Sequence, residues 1–203
     1  MSSTATKPDG RRLRSEQSRE AIVEAMMSLL REGDPRPGAQ RIAARAGVSL
    51  RSVFRHFEDL DGLFTVATEL QRARVGHLFE LSTAGGSLAE RAESLVAQRC
   101  RLYEEIARLR RAALRMAPFH TPLRTGLEEA SAALRRHLPE VFAGELARLA
   151  PTDRRDLVEA LEASSSWAFW EALRGDQGLS VDRAKRVMAR TLLALIETSP
   201  RRS

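Results

Sequence analysis

An all-α fold is expected for this chain, and three observations carry the expectation. Apolar residues recur three and four positions apart along nearly the whole length, the spacing of one helical face. Strict apolar–polar alternation, the mark of a half-buried strand, hardly occurs. The periodic segments are punctuated by breaks such as "GDPRPG" (33–38), "STAGGS" (82–87) and "RGDQG" (174–178), where Gly and Pro interrupt a helical ladder.

The elements follow in order. After a basic, Ser/Thr-rich arm (1–14), Ile22, Met26, Leu29 and Leu30 form the stripe of a first helix over 15–32. A short helix at 39–46 places Ile42, Ala43 and Ala46 inward, and Gly47 suits the left-handed residue that ends a helix. Ser49 caps a third helix over 50–56, with Val53 and Phe54 inward and Phe57 just beyond. Glu58 and Asp59 carry the charge a helix start favours, so a fourth helix begins there, buries Leu63, Ala67 and Leu70, and runs to about 80. One or two helices over 88–116, the break "APFHTP", a whole or broken helix over 123–149 and a helix over 153–174 come next. Ser180 caps the last helix, in which Ala184, Val187, Met188, Thr191, Leu192, Leu195 and Ile196 keep 3–4 spacing. The expected division is the arm (1–14), a three-helix head (15–62) and a larger helical domain (63–203).

Composition narrows the function. The 43% hydrophobic content supports an ordered core. Apolar runs such as "TLLALI" fall far short of the roughly 18 residues a membrane span needs. The polar N-terminus lacks the apolar centre of a secretory signal, and the single Cys100 permits no internal disulfide, so a cytoplasmic location is expected. The four histidines lack metal-ligand spacing, and "AGGS" lacks the Gly-x-x-x-x-Gly-Lys of a phosphate loop. No enzymatic motif, metal site or cofactor is expected.

The net charge of +6 is unevenly placed. Residues 1–34 are neutral, 58–203 carry +1, and 35–57 carry +5 with five arginines and no acid. Two short helices joined at a glycine within that segment form a helix-turn-helix candidate over 38–57. Ala43 is small where the next helix crosses, Gly47 makes the turn, and Val48 and Val53 fill the wedge. A helix of this kind fits the DNA major groove. Arg51 then reaches base edges, Ser52 bonds a base or phosphate, and Leu50 offers apolar contact. Arg41, Arg45, Arg55 and His56 serve phosphates.

The stretch "RIAARAGVSLRSVFRHFEDLDGLF" resembles the DNA-binding segment of the tetracycline-repressor (TetR) family of bacterial transcription regulators. The features that match are "IA..AGVS", the aromatic–x–x–Phe that ends the recognition helix, and the acidic start with "LF" that follows. The resemblance covers about 15–64; the remainder is similar in general plan only. It implies an all-α homodimer on a palindromic operator, with DNA affinity set by a small-molecule effector in the larger domain. It places groove contacts on Gln40, Leu50, Arg51 and Ser52, and backbone contacts on Ser49, Phe54, Arg55 and His56. Three positions depart from the family pattern: Phe54 stands where Tyr is frequent, Leu60 where Lys is, and Gly38 where a Thr often caps the second helix.

In the larger domain, the resemblance implies dimer contacts on the last two helices. Leu157, Leu161, Ser164 and Ala168 make one stripe there, and Ala184, Val187, Thr191 and Ala194 another. Tyr103, Met116, Phe119, His120, Trp167 and Trp170 are the candidates to line an apolar ligand pocket. The expectation is a ligand-released repressor, with no membrane partner. A ligand-independent repressor or activator, or a helical protein whose basic face binds an acidic protein, are the alternatives.

Overall fold

The computed structural model describes residues 10–34, 36–80 and 85–200, and among them the regular structure is helical throughout. The helices are α1 (Gly10–Arg31), α2 (Ala39–Ala46), α3 (Leu50–His56), α4 (Leu60–Arg74), α5 (Leu88–Met116), α6 (Thr121–Arg135), α7 (His137–Val141), α8 (Ala143–Leu146), α9 (Pro151–Ser165), α10 (Trp167–Glu171) and α11 (Val181–Glu197). Short 3-10 turns occupy Gly76–Phe79 and Ala117–Phe119, and a π turn spans Ala172–Asp176. No described helix is long and apolar enough to cross a membrane.

The chain divides into two compact units. The first is Met1–Arg74 with Ala107–Arg124, the second Val75–Ile106 with Thr125–Ser203. The division expected at 62/63 therefore moves to the end of α4. Leu63, Phe64 and Ala67 are fully buried, and α4 packs on α1, so the helix completes the core of the head rather than opening the next domain. Residues 107–124 join this unit too: Arg108 bonds the Arg31 carbonyl, and Thr65 Oγ1 lies 3.5 Å from His120 Nε2. The expected arm is also shortened. Residues 10–14 are helical in α1, with Arg14 Nε donating to the Gly10 carbonyl at 3.0 Å; residues 1–9 lie outside the described residues.

In the first unit Ile22, Met26, Leu29 and Leu30 of α1 are buried with Ile42 and Val53, as the stripe requires. In the second, Leu157 and Leu161 of α9 are buried with Ala184, Met188 and Leu192 of α11, and these two helices pack together. Arg91 joins α5 to α8 through Glu145 at 2.7 Å, and Arg135 joins α6 to α9 through Glu159 and Glu162. Of the two expected alternatives for 123–149 the broken one is found, and the helix expected over 153–174 is interrupted. The region 123–149 is split into α6, α7 and α8. The helix expected over 153–174 stops at Ser166, whose Oγ accepts the Phe169 N–H at 3.2 Å and starts α10.

Candidate nucleic-acid interface

Local chemistry fixes the turn between α2 and α3. Gly47 takes φ +66, a left-handed conformation that opposes side chains, and its N–H returns to α2 carbonyls. Ser49 Oγ accepts the Ser52 N–H at 3.1 Å and lies 3.1 Å from Ser52 Oγ, so the cap commits both hydroxyls to each other's neighbourhood. At the start of α2, Gly38 supplies no side-chain cap.

On α3, Val53 is fully buried while Leu50, Arg51, Phe54 and Arg55 are exposed. Positions i, i+1, i+4 and i+5 share one helical face, so two guanidiniums and two apolar groups make a single outward surface. This corrects the inward placement of Phe54. Phe54 is 50% exposed, and Phe57, 6% exposed, takes the inward position under Arg19, whose guanidinium carbon stands 5.1 Å from the ring centroid. Arg51 has no ion-pair or hydrogen-bond partner among the described residues. Ser52 and His56 are half-buried at the flanks, and Gln40 is exposed on α2.

Arg41 and Arg45 are placed differently from Arg51. Arg45 grips Glu32 with both terminal nitrogens, at 2.6 and 2.8 Å, and also bonds Ser28 Oγ at 2.7 Å. Its hydrogen bonding holds the Glu32 carboxyl down to about 2. Arg41 pairs with Asp34. Both arginines thus tie α2 to the end of α1 and the turn after it, and the local excess of charge is smaller than the acid-free window implies. The balancing acids, Glu32 and Asp34, precede the window in sequence and pair with its arginines in the fold.

Arg19 is the cation that segment counting misses, because residues 1–34 are neutral in sum. In the fold it stacks over Phe57, and its charge reaches His56. Burial lowers the His56 pKa first, and the charges of Arg55 and Arg19 lower it further. No local sequence signal joins Arg19 to residues nearly forty positions away.

The six pocket candidates divide between the two units. Tyr103, Trp167 and Trp170 come together in the second unit, with Tyr103 5.7 Å from Trp167 at near-perpendicular planes and 6.4 Å from Trp170. Met116, Phe119 and His120 belong to the first unit. Phe119 is 91% exposed after the Pro118 turn, and His120 Nδ1 accepts the Leu123 N–H at 3.2 Å as the cap of α6. The interface candidates divide as well. Leu157, Leu161 and Ala184 lie in the core of the second unit, whereas Ala168 and Ala194 are exposed and Ser164, Val187 and Thr191 half-buried. On α11, Val187, Thr191, Ala194 and Leu195 line an open, largely apolar depression of about 530 Å³.

No family model and no curated protein sequence matches the chain. Solved structures do. A transcriptional regulator from Rhodococcus sp. Rha1 superposes with a TM-score of 0.69 at 18% identity, covering 88% of this chain and 96% of that one. A regulator from Mesorhizobium loti assigned to the TetR family gives 0.66 at 20% identity, covering 91% and 97%. A third, from Rhodococcus sp. and assigned to the same family, gives 0.64 at 16% identity, covering 88% and 98%.

Proposed function

We propose that this chain, which has the fold of TetR-family transcriptional regulators, is a sequence-specific DNA-binding regulator acting as a homodimer on a near-palindromic operator. The observation that carries the reading is the outward face of α3, where Leu50, Arg51, Phe54 and Arg55 are exposed together and Arg51 has no partner among the described residues. A helix inserted in the major groove needs such a face. Arg51 pairs with guanine, and Leu50 and Phe54 meet thymine methyls or sugar carbons. Gln40 and Ser52 offer further polar contacts, with Ser49 at the helix cap. Arg55, His56 and Arg19 neutralise phosphates. Arg41 and Arg45 contribute by fixing α2, which sets the pitch at which α3 meets the duplex.

The second copy docks through Ser164, Ala168, Val187, Thr191 and Ala194, small or β-branched residues that let helices approach closely. The direction of control is repression, relieved when a small molecule binds the second unit. Nuclease footprinting of bound genomic fragments tests the reading. Two symmetric protected half-sites separated by about one helical turn, roughly 34–36 Å, are expected; a single asymmetric footprint removes the dimer, and uniform protection removes the sequence preference.

A further inference from the structure

Arg99, on α5, is 2% exposed. Its Nη2 donates to the Leu134 carbonyl in the last turn of α6 at 2.6 Å, and the Tyr103 hydroxyl lies beside it. Its Nε is buried with no hydrogen-bond partner, and no carboxylate forms an ion pair with it among the described residues. The acid whose charge it senses, Glu162, is already held by Arg135. This is an anomaly. A buried charge is normally paired, and a guanidinium does not escape the cost by losing its proton.

A second buried group points the same way. His137, at the start of α7, has a buried Nδ1 without a partner, and its pKa is lowered by burial and then by the charge of Arg99. Two buried nitrogens without a partner therefore belong to the second unit, on side chains whose charges act on each other. Beside them the α9–α10 helix is broken. The Ser165 carbonyl accepts the Tyr103 hydroxyl at 2.9 Å, while the Phe169 N–H that would have used it goes to Ser166 Oγ. A π turn follows at once, an irregularity frequent at functional sites. The aromatic surface of Tyr103 and Trp167 adjoins this break.

We propose that Arg99 and His137 hold the carboxylate of an amphipathic monocarboxylic acid whose apolar body packs against Tyr103 and Trp167. One carboxylate supplies the missing counter-ion and an acceptor for both orphaned nitrogens, and an apolar tail suits the aromatic wall. That this acid is the effector rests on the DNA-binding reading; its binding does not.

The test uses the full chain without DNA, titrated with sodium octanoate and separately with 1-octanol, which shares the chain length but not the charge. Trp167 and Trp170 are the only tryptophans, so their fluorescence reports on this region. Octanoate is expected to give a saturable change at a concentration at least tenfold below that of octanol. Arg99→Met, with helical circular dichroism retained, is expected to raise the octanoate midpoint at least tenfold, and His137→Phe to raise it less. Equal midpoints for acid and alcohol, or an unchanged octanoate midpoint in Arg99→Met, overturn the proposal. If Arg99→Met does not fold, the wild-type acid-to-alcohol ratio decides alone. Octanoate binding that leaves a sequence-specific DNA complex intact overturns the effector role. A chain that binds octanoate but prefers no DNA sequence overturns the regulator reading and leaves the carboxylate site standing.

Discussion

The arginines of α2 and α3 look alike in sequence and differ in partners. Arg51 is unpaired among the described residues, whereas Arg45 and Arg41 are held by Glu32 and Asp34. Arg51→Ala is therefore expected to relax specificity at one operator position by about 1–3 kcal/mol while leaving thermal stability unchanged; binding to operators substituted one position at a time reads this. Arg55→Ala should weaken operator and random DNA alike and flatten the salt dependence by about one charge, and Arg45→Ala should leave that slope unaltered. His56 adds a pH dependence. Burial and two nearby cations keep its pKa below the ordinary value of about 6.5 in the free protein, and a phosphate placed against it favours the charged ring. DNA affinity should therefore rise as pH falls below about 6.5, and His56→Gln should abolish that rise. None of these distinctions was legible in the sequence. Spacing showed which arginines share a face, but ion pairs to Glu32 and Asp34, and the nearness of Arg19, depend on how α1 packs.

Elements whose ends are written in local chemistry were read to the residue. The expected 39–46 and 50–56 helices are α2 and α3 as observed, because Gly47 and Ser49 define their ends without help from the rest of the fold. Gly47→Ala should destabilise the chain by about 1–2 kcal/mol through its positive φ alone, since no atom lies within 4 Å of the added carbon; urea denaturation measures it. Ser180→Ala removes the hydroxyl that accepts the Arg183 N–H at 3.3 Å, and about 1 kcal/mol should be lost. The α9–α10 break escaped notice for the opposite reason. Leu157, Leu161, Ser164 and Ala168 keep helical spacing straight through it, and the interruption comes from Tyr103, sixty residues away, taking the Ser165 carbonyl. The same limit applies to Phe54, where a period of 3.6 over seven residues does not separate an inward from a flanking aromatic.

For the molecule as a whole, periodicity was enough to establish the all-helical architecture, and it misjudged where one unit ends. Amphipathic spacing shows that a face is buried but not against what. Hence α4, expected mostly beyond the boundary, belongs to the first unit, and Leu157, Leu161 and Ala184, expected at an interface, are buried within the single chain. The outward α11 face is the part that the proposed partner copy would cover. Ala194→Arg should convert a dimer to monomers in equilibrium sedimentation with helical circular dichroism retained, because Ala194 is exposed in the single chain. The most direct test of the central claim is equilibrium competition at about 0.15 M salt between bound genomic fragments and excess random duplex. If the α3 face reads base edges, the wild-type chain should favour one set of fragments by at least about a thousandfold, and Arg51→Ala should shrink that ratio. A ratio near one for the wild-type protein would contradict the account.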